Sequence, residues 1–172
     1  VYEALTGNFG GLQMPAIYSD HMVLQRNRPI PVYGTADRGE EITVTLGKQK
    51  RKVTTGTDGR WHVLLDAVSA GGPYVLKVKG ANRELVFSDV LAGEVWLCSG
   101  QSNMAFPLWQ SQNGAEAVAT SAHPNLRLYN MLPLKQTSED KWDSVTLERV
   151  NKHEYYLPTS WQVAGPDNTG NF

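Results

Sequence analysis

Cysteine is almost missing from this chain of 172 residues, in which Cys98 is the single one. One thiol cannot close an internal disulfide, and it cannot supply the ligands of a multi-cysteine zinc site. It leaves the redox compartment open, because a lone thiol is compatible with either side of a membrane. We interpret Cys98 as a core residue, since a neutral thiol in a strand behaves as a small apolar group and not as a nucleophile.

Long apolar runs and an excess of charge are also missing. No run approaches the roughly 20 residues that a membrane-spanning helix needs. The 16 Lys and Arg residues balance 17 Asp and Glu residues, which gives a net charge of −1. This balance argues against nucleic acid or an anionic membrane as the main partner. The chain starts at Val1 without a basic and apolar leader region, so we expect no signal peptide in it, and earlier removal of one stays open.

Short apolar runs separated by turn signals fill residues 14–92. Residues 42–46 alternate apolar and threonine side chains, which predicts a half-buried strand. Asp58-Gly59 precedes the apolar run that begins at Trp61, which is a hairpin signal. Such runs recur without a helical segment, so we predict an antiparallel β-sandwich of the jelly-roll or immunoglobulin-like kind. Residues 1–13 are Gly-rich and aperiodic, and we expect an N-terminal extension there.

A different pattern begins at Gly93. The apolar run Val95–Cys98 stops at a small, polar cluster and predicts one central buried strand over Glu94–Ser99. Trp96 in this run is expected in the core, as is Trp61 in the preceding part. A second short strand is predicted at Leu126–Tyr129.

A helix is predicted between these two strands. Asn113 can cap its start, Glu116 can complete a capping box, and alanines favour a helix over 115–122. Strand, helix and strand in succession open an α/β sheet. One such unit cannot cover both faces of a parallel sheet. We therefore expect 93–172 to be an incomplete domain, whose residues 168–172 approach a helix that is cut off before it forms.

Ser102 is the candidate nucleophile. A nucleophilic serine needs exposure, nearby backbone N–H groups for the oxyanion, and a base. Ser102 follows a predicted strand end and a flexible Gly100-Gln101 turn, so its main-chain N–H can point at a developing oxyanion. Gly-x-Ser alone is also typical of a capping or turn serine. The Gly-x-Ser-x-Gly elbow of α/β-hydrolases is disfavoured, because Met104 takes the place of the last glycine.

The longer string around this serine is more specific. Gly93–Met104 closely resembles the nucleophile block of the sialate O-acetylesterase family, which are serine esterases of the SGNH (GDSL-like) type. The resemblance covers residues 14–131. The other strings that resemble the family follow in the expected order and are Pro15–Arg26, Pro31–Gly34, Asp58–Trp61 and Gly71–Tyr74, with Ser160–Gln162 as a weaker continuation.

The resemblance implies a fold and a reaction. The family has a β-sandwich over the region equivalent to 14–92, beside a flavodoxin-like α/β SGNH esterase domain, of which 93–172 would be the first strand-helix-strand part. It removes acetyl groups from sugar hydroxyls, typically those of sialic acids. Ser102 would be the nucleophile, and its backbone N–H would donate to the oxyanion. Gln101, Asn103 and Trp109 are candidate substrate contacts beside it.

The resemblance also implies what the chain needs from elsewhere. The family's other oxyanion donors and its catalytic His and Asp lie in later blocks, so the expected partners are an acetylated carbohydrate and the missing C-terminal half of the same protein. This part alone is expected to be inactive. Ala105 stands where the family often has Glu, which puts fine specificity in doubt. A secreted, periplasmic or lysosomal location follows, and no cofactor or metal is expected, since Ser, His and backbone N–H groups suffice.

The four histidines, His21, His62, His123 and His153, are each interpreted as non-catalytic. Two alternatives to the main hypothesis stay open. The chain is then either a non-catalytic glycan-binding β-sandwich with an esterase remnant, or part of an acetylesterase that acts on plant polysaccharides. Glycan binding without ester hydrolysis would favour the first of these.

Overall fold

The computed structural model of this chain describes residues 10–100, 102–134, 141–151 and 155–172. Strands dominate up to Gly93. In order they are β1 (Val23–Gln25), β2 (Ile30–Thr35), β3 (Glu41–Leu46), β4 (Gln49–Thr54), β5 (Arg60–Leu65), β6 (Gly71–Lys79) and β7 (Glu84–Gly93). They form a five-stranded sheet in the order β1-β7-β6-β3-β4 and a two-stranded sheet of β2 and β5.

The larger sheet is mixed, which corrects the prediction of a fully antiparallel fold. β1 runs parallel to β7, with Val23 opposite Leu91 and Gln25 opposite Gly93. Turn signals indicate only hairpins between consecutive strands. Because β1 and β7 are far apart in the sequence, the sequence does not predict whether they run parallel or antiparallel. The remaining pairs in both sheets are antiparallel.

Both sheets bury their inward side chains in one core. β3 has the predicted alternation, with Ile42 and Val44 fully buried and Leu46 2% exposed. Val32 of β2 lies in the same apolar cluster, as does Trp61 of β5, which confirms the core position expected for Trp61. A mixed sheet and a two-stranded sheet around a shared core are thus the observed architecture. The finer jelly-roll or immunoglobulin-like topology stays a prediction.

The end of the expected N-terminal extension contacts this core. Leu12 is 1% exposed and belongs to the apolar cluster. The backbone of Gln13 pairs with Thr35 of β2 through two hydrogen bonds of 2.8 and 3.0 Å. Leu12 and Gln13 therefore pack with the strands, and residues 1–9 lie outside the described part.

Helices and two further strands follow β7. They are α1 (Gly114–Ala119), β8 (His123–Leu128), α2 (Ser144–Asn151), β9 (Gln162–Ala164) and α3 (Pro166–Thr169), with 3₁₀ turns at Ser102–Ala105 and Leu108–Gln110. β8 pairs antiparallel with β9. The described residues contain no helix that is long and apolar enough to cross a membrane.

The local predictions for this part need correction. α1 ends at Ala119, earlier than predicted, and Asn113 before it has a left-handed φ of 59° and makes no side-chain capping bond. The capping box expected with Glu116 is therefore wrong. The strand predicted at 126–129 begins earlier, at His123. A helix does form at Pro166–Thr169, where the Asn168 side chain accepts from the Gly165 N–H at 3.0 Å and donates to the Val163 carbonyl at 2.8 Å.

Candidate active site

The segment that leads to the serine is exposed and irregular. Residues 94–100 have no regular secondary structure, Trp96 is 84% exposed and Leu97 is 87% exposed. Cys98 is exposed as well. The predictions of a buried central strand at Glu94–Ser99, and of core positions for Trp96 and Cys98, are therefore wrong for this chain. A strand is buried by neighbours, and among the described residues none pairs with this segment as a strand.

The start of this segment is held by β1. The Arg26 Nε donates to one oxygen of Glu94 at 2.6 Å, and the Gln25 amide donates to the other at 2.9 Å. The Gln25 side-chain oxygen in turn accepts the Val95 N–H at 3.0 Å. These donors, Gln25 first and then Arg26, hold the pKa of the Glu94 carboxyl below its usual value. Two strings that resemble the family, Pro15–Arg26 and Gly93–Met104, thus meet in space.

Ser102 begins the 3₁₀ turn Ser102–Ala105, and the structure describes its backbone. Gly100 lies close to this turn, because a Cβ at that position would be 2.6 Å from the Met104 Cγ. Asn103 is exposed in the turn, and its carbonyl accepts the Phe106 N–H at 3.2 Å. The candidate substrate contact Gln101 lies outside the described residues. Asn103, Met104 and Ala105 of this turn are exposed.

Trp109, the third candidate contact, lies in the next 3₁₀ turn and is 55% exposed. Its N–H donates to the Gly170 carbonyl at 3.2 Å, which ties this turn to the end of α3. Gly114 packs beneath it, since a Cβ there would be 2.3 Å from the Leu108 carbonyl oxygen. Together with the preceding segment, the turns form an exposed apolar surface, called here the serine-side surface, made of Val95, Trp96, Leu97, Met104, Phe106 and Trp109.

One histidine among the described residues is paired with a carboxylate. The His21 Nδ1 lies 2.7 Å from the Asp89 Oδ2, and the same oxygen accepts from the Arg127 guanidinium at 3.0 Å. The hydrogen bond from His21 and the charge of Arg127 hold the pKa of Asp89 below its usual value. The His21–Asp89 pair resembles the histidine–carboxylate unit of a catalytic base. The same carboxylate, however, joins β7 to β8 through Arg127, and no described hydrogen bond connects the pair to the serine turn.

His62 and His123 are likewise not linked to the serine turn by any described hydrogen bond. His62 is exposed on β5 and His123 is exposed at the start of β8, while His153 lies outside the described residues. The prediction that none of the four histidines is catalytic stays a prediction.

Sequence reasoning missed the pairing of His21 with Asp89 because no local spacing rule connects residues 68 positions apart. Among the described residues, no group of three or more His, Cys, Asp and Glu side chains could hold a metal ion.

The comparisons with known proteins place this arrangement in a class. A crystal structure of a carbohydrate acetylesterase from Xanthomonas citri matches 94% of the chain with a TM-score of 0.78 and 35% identity, and the match covers 34% of that structure's chain. The fold of this chain is therefore similar to about a third of a carbohydrate acetylesterase. No family model matches the chain.

Curated relatives make the assignment more particular. Sialate O-acetylesterase of Rattus norvegicus is 33% identical over 94% of the chain, and that of Homo sapiens is 30% identical over 85% of it. The chain belongs to the sialate O-acetylesterase family, as the residue strings indicated. It spans about a third of the length of the relatives it matches, with 30% of the rat protein and 32% of the human protein covered.

Proposed function

We propose that this chain is part of a carbohydrate O-acetylesterase in which Ser102 is the nucleophile. The observation that carries the proposal is the exposed 3₁₀ turn that begins at Ser102, in a chain similar over most of its length to sialate O-acetylesterases. Gly100 lets the backbone turn tightly in front of the serine. A tight turn of this kind leaves room for an ester carbonyl near the backbone N–H of Ser102.

The proposed reaction proceeds through an acetyl-enzyme. The Ser102 Oγ forms a bond to the acetyl carbonyl carbon while a histidine takes its proton, and the oxyanion accepts from the Ser102 N–H. The bond from the acetyl carbon to the sugar oxygen then breaks, and the histidine returns the proton to that oxygen. Water next attacks the acetyl carbon while the same histidine takes a proton from it, and the bond to the Ser102 Oγ then breaks. The histidine returns the proton to that oxygen, and acetate leaves. No cofactor takes part in this proposal.

We assign the histidine base, its aspartate and the remaining oxyanion donors to residues outside this chain. The serine-side surface supports this assignment, because several large apolar side chains exposed within one short stretch are typical of a surface that another element covers. The residues after β7 are the proposed first part of a flavodoxin-like SGNH domain. The seven preceding strands are the proposed sandwich. The protein that continues this chain over the rest of the family's length is called here the extended protein.

The proposed substrates are O-acetylated sugars, with sialic acid as the first choice because the curated relatives carry that name. Acetylated plant polysaccharide is the alternative. Either substrate fits a secreted, periplasmic or lysosomal setting, which we propose as well.

Kinetics of serine variants test this function. In the extended protein, Ser102→Ala should lower kcat for acetyl release at least about a thousandfold, since the covalent step is lost. Ser99→Ala is the matched control, because it removes an exposed serine hydroxyl three residues earlier and should change kcat by less than about threefold. Retained activity in Ser102→Ala would overturn the nucleophile. Rates on 9-O-acetylated sialic acid and on acetylated xylan, measured with the same samples, decide between the two substrate classes.

A further inference from the structure

A groove lies on the side of the strand region formed by β2, β5 and the Gln13–Pro15 segment. Its volume is about 730 Å³, within the range of small-molecule sites. Its walls are Gln13–Pro15, Tyr33–Thr35, Asp58 and Arg60–His62. Two strings that the sequence singled out, 31–34 and 58–61, contribute to these walls, and the proposed ester hydrolysis does not use them.

An aromatic ring stands in this groove in a fixed orientation. Tyr33 projects from the outer face of β2 and is 43% exposed. The Tyr18 ring meets it edge-on, with centroids 5.5 Å apart and planes at 80°. Tyr18 is itself buried, and its hydroxyl donates to the Pro31 carbonyl at 3.1 Å. Because its neighbour is anchored, the exposed Tyr33 ring is a preorganised flat apolar surface.

Polar side chains surround this ring at defined positions. His62 of β5 is directly opposite Tyr33, and Arg60 is directly opposite Thr35, so all four lie on one face of the two-stranded sheet. Asp58 is oriented by the Arg60 N–H, which donates to its Oδ1 at 3.1 Å. The groove thus offers one cation, one carboxylate and one imidazole beside the ring. Such a set suits a ligand with many hydroxyls better than a polyanion.

The wall of the groove holds a buried donor without a partner. Trp61 is 3% exposed, and its Nε1 has no hydrogen-bond partner among the described residues. The Cε2 atom bonded to that nitrogen lies 3.2 Å from where a Cβ of Gly34 would be, so the donor edge is at the groove wall. Buried N–H groups are normally paired, and an unpaired one costs free energy. Trp61 points to the opposite side of β5 from Arg60 and His62, so this nitrogen lies behind the groove wall and is not itself a ligand contact.

We propose that this groove is a carbohydrate-binding site. The apolar C–H face of a sugar ring stacks on Tyr33, and its hydroxyls exchange hydrogen bonds with Arg60, His62 and Asp58. Aromatic surface plus a few convergent polar groups is the usual composition of a small-molecule site. The site binds the glycan that carries the ester without taking part in the acyl transfer at Ser102.

Titration of this 172-residue chain with xylohexaose and with sialyllactose tests the proposal. Amide and indole N–H chemical shifts should move at residues 33, 60 and 62 and at the Trp61 Nε1 for at least one of the two glycans. Tyr33→Ala should weaken that binding at least about tenfold, whereas Tyr33→Phe keeps the ring and should stay within about threefold. Tyr156→Ala, which removes a tyrosine that is 49% exposed outside the groove, should leave binding unchanged.

The proposal is overturned if neither glycan moves these signals at millimolar concentration, or if Tyr156→Ala weakens binding as much as Tyr33→Ala. If Tyr33→Ala does not fold, Arg60→Ala takes its place, since Arg60 is exposed, and the same loss is expected. Ser102→Ala should abolish acetyl release in the extended protein and leave groove binding intact. The experiments therefore distinguish an error in the glycan-binding proposal from an error in the proposed reaction at Ser102.

Discussion

Asp89 of β7 accepts a hydrogen bond of 3.0 Å from the nearly buried guanidinium of Arg127 in β8, whose side chain is 4% exposed. His21 shares the same carboxylate oxygen at 2.7 Å. Trp161, next to β9, adds a second connection, because its indole donates to the Ile17 carbonyl at 2.8 Å. The strand region and the β8–β9 pair are thus joined in two places. One is the Asp89–Arg127 ion pair, and the other is the hydrogen bond from Trp161 to Ile17 in the string 15–26.

Asp89→Asn should destabilise the chain by about 1–3 kcal/mol, because it leaves the buried Arg127 charge without its counter-charge. Asp66→Asn is the matched control. It breaks an exposed ion pair with Arg51, in which Asp66 is 70% exposed, and should cost less than about 1 kcal/mol. Urea unfolding of the two variants measures both values. Equal losses would contradict the role given to the Asp89–Arg127 pair.

Acid should weaken this connection in a defined direction. The pKa of Asp89 is lowered in the folded chain by His21 and Arg127, so its contribution to stability is present above the unfolded pKa and is lost as pH falls below about 4. The free energy of unfolding should therefore decrease towards low pH more steeply in the native sequence than in Asp89→Asn. Denaturant unfolding at each pH measures this difference. If the free energy of unfolding falls equally steeply with pH in both proteins, Asp89 does not cause the loss of stability in acid.

Gly114→Ala should destabilise the region behind the serine turn by about 1–3 kcal/mol. Its Cβ would lie 2.3 Å from the Leu108 carbonyl oxygen and 2.7 Å from that of Trp109, both of which are backbone atoms that cannot move alone. Gly165→Ala is the control, because nothing lies within 4 Å of a Cβ there, and its loss should stay below about 1 kcal/mol. If thermal unfolding shows a larger loss of stability for Gly165→Ala than for Gly114→Ala, the close packing at Gly114 does not limit stability.

Leu97→Ser should leave the stability of the 172-residue chain within about 0.5 kcal/mol of the native value, because Leu97 is 87% exposed. In the extended protein the same change should strongly reduce acetyl release, since Leu97 belongs to the serine-side surface that we propose another element covers. Val86→Ser, at a side chain that is 48% exposed on β7, should change neither quantity. Full activity of extended Leu97→Ser would show that the serine-side surface is not covered.

The strand region was predictable because its signals are local. Alternation at residues 42–46 identifies β3, and the pattern also placed Trp61 in the core. Asp58-Gly59 marks the start of β5, but the hairpin predicted there is wrong, because β5 pairs with β2 and not with β4. The parallel pairing of β1 with β7 was not predictable, since it joins distant residues. Side-chain period determines which face is buried, but it does not determine which strand lies next to it.

The site was predictable only in part. The string around Ser102 indicated the family, which the relatives show, whereas the predicted Gly100-Gln101 turn includes a residue outside the described part and stays a prediction. The burial of Trp96 and Cys98 was inferred from their apolar run, and they are exposed because a run becomes a central strand only when other strands flank it. The link from Gln25 and Arg26 to Glu94 was invisible for the same reason as the β1–β7 pairing, because no local rule brings these residues together.

The proposed nucleophile is tested most directly by trapping the acetyl-enzyme. The extended protein is mixed with p-nitrophenyl acetate, quenched in acid within the first turnover, digested and analysed by tandem mass spectrometry. We expect one added acetyl group on the peptide that contains Ser102, with the fragment ions assigning it to Ser102 and none to Ser99. Acetyl release without any acetylated Ser102, or the same modification in Ser102→Ala, would contradict it.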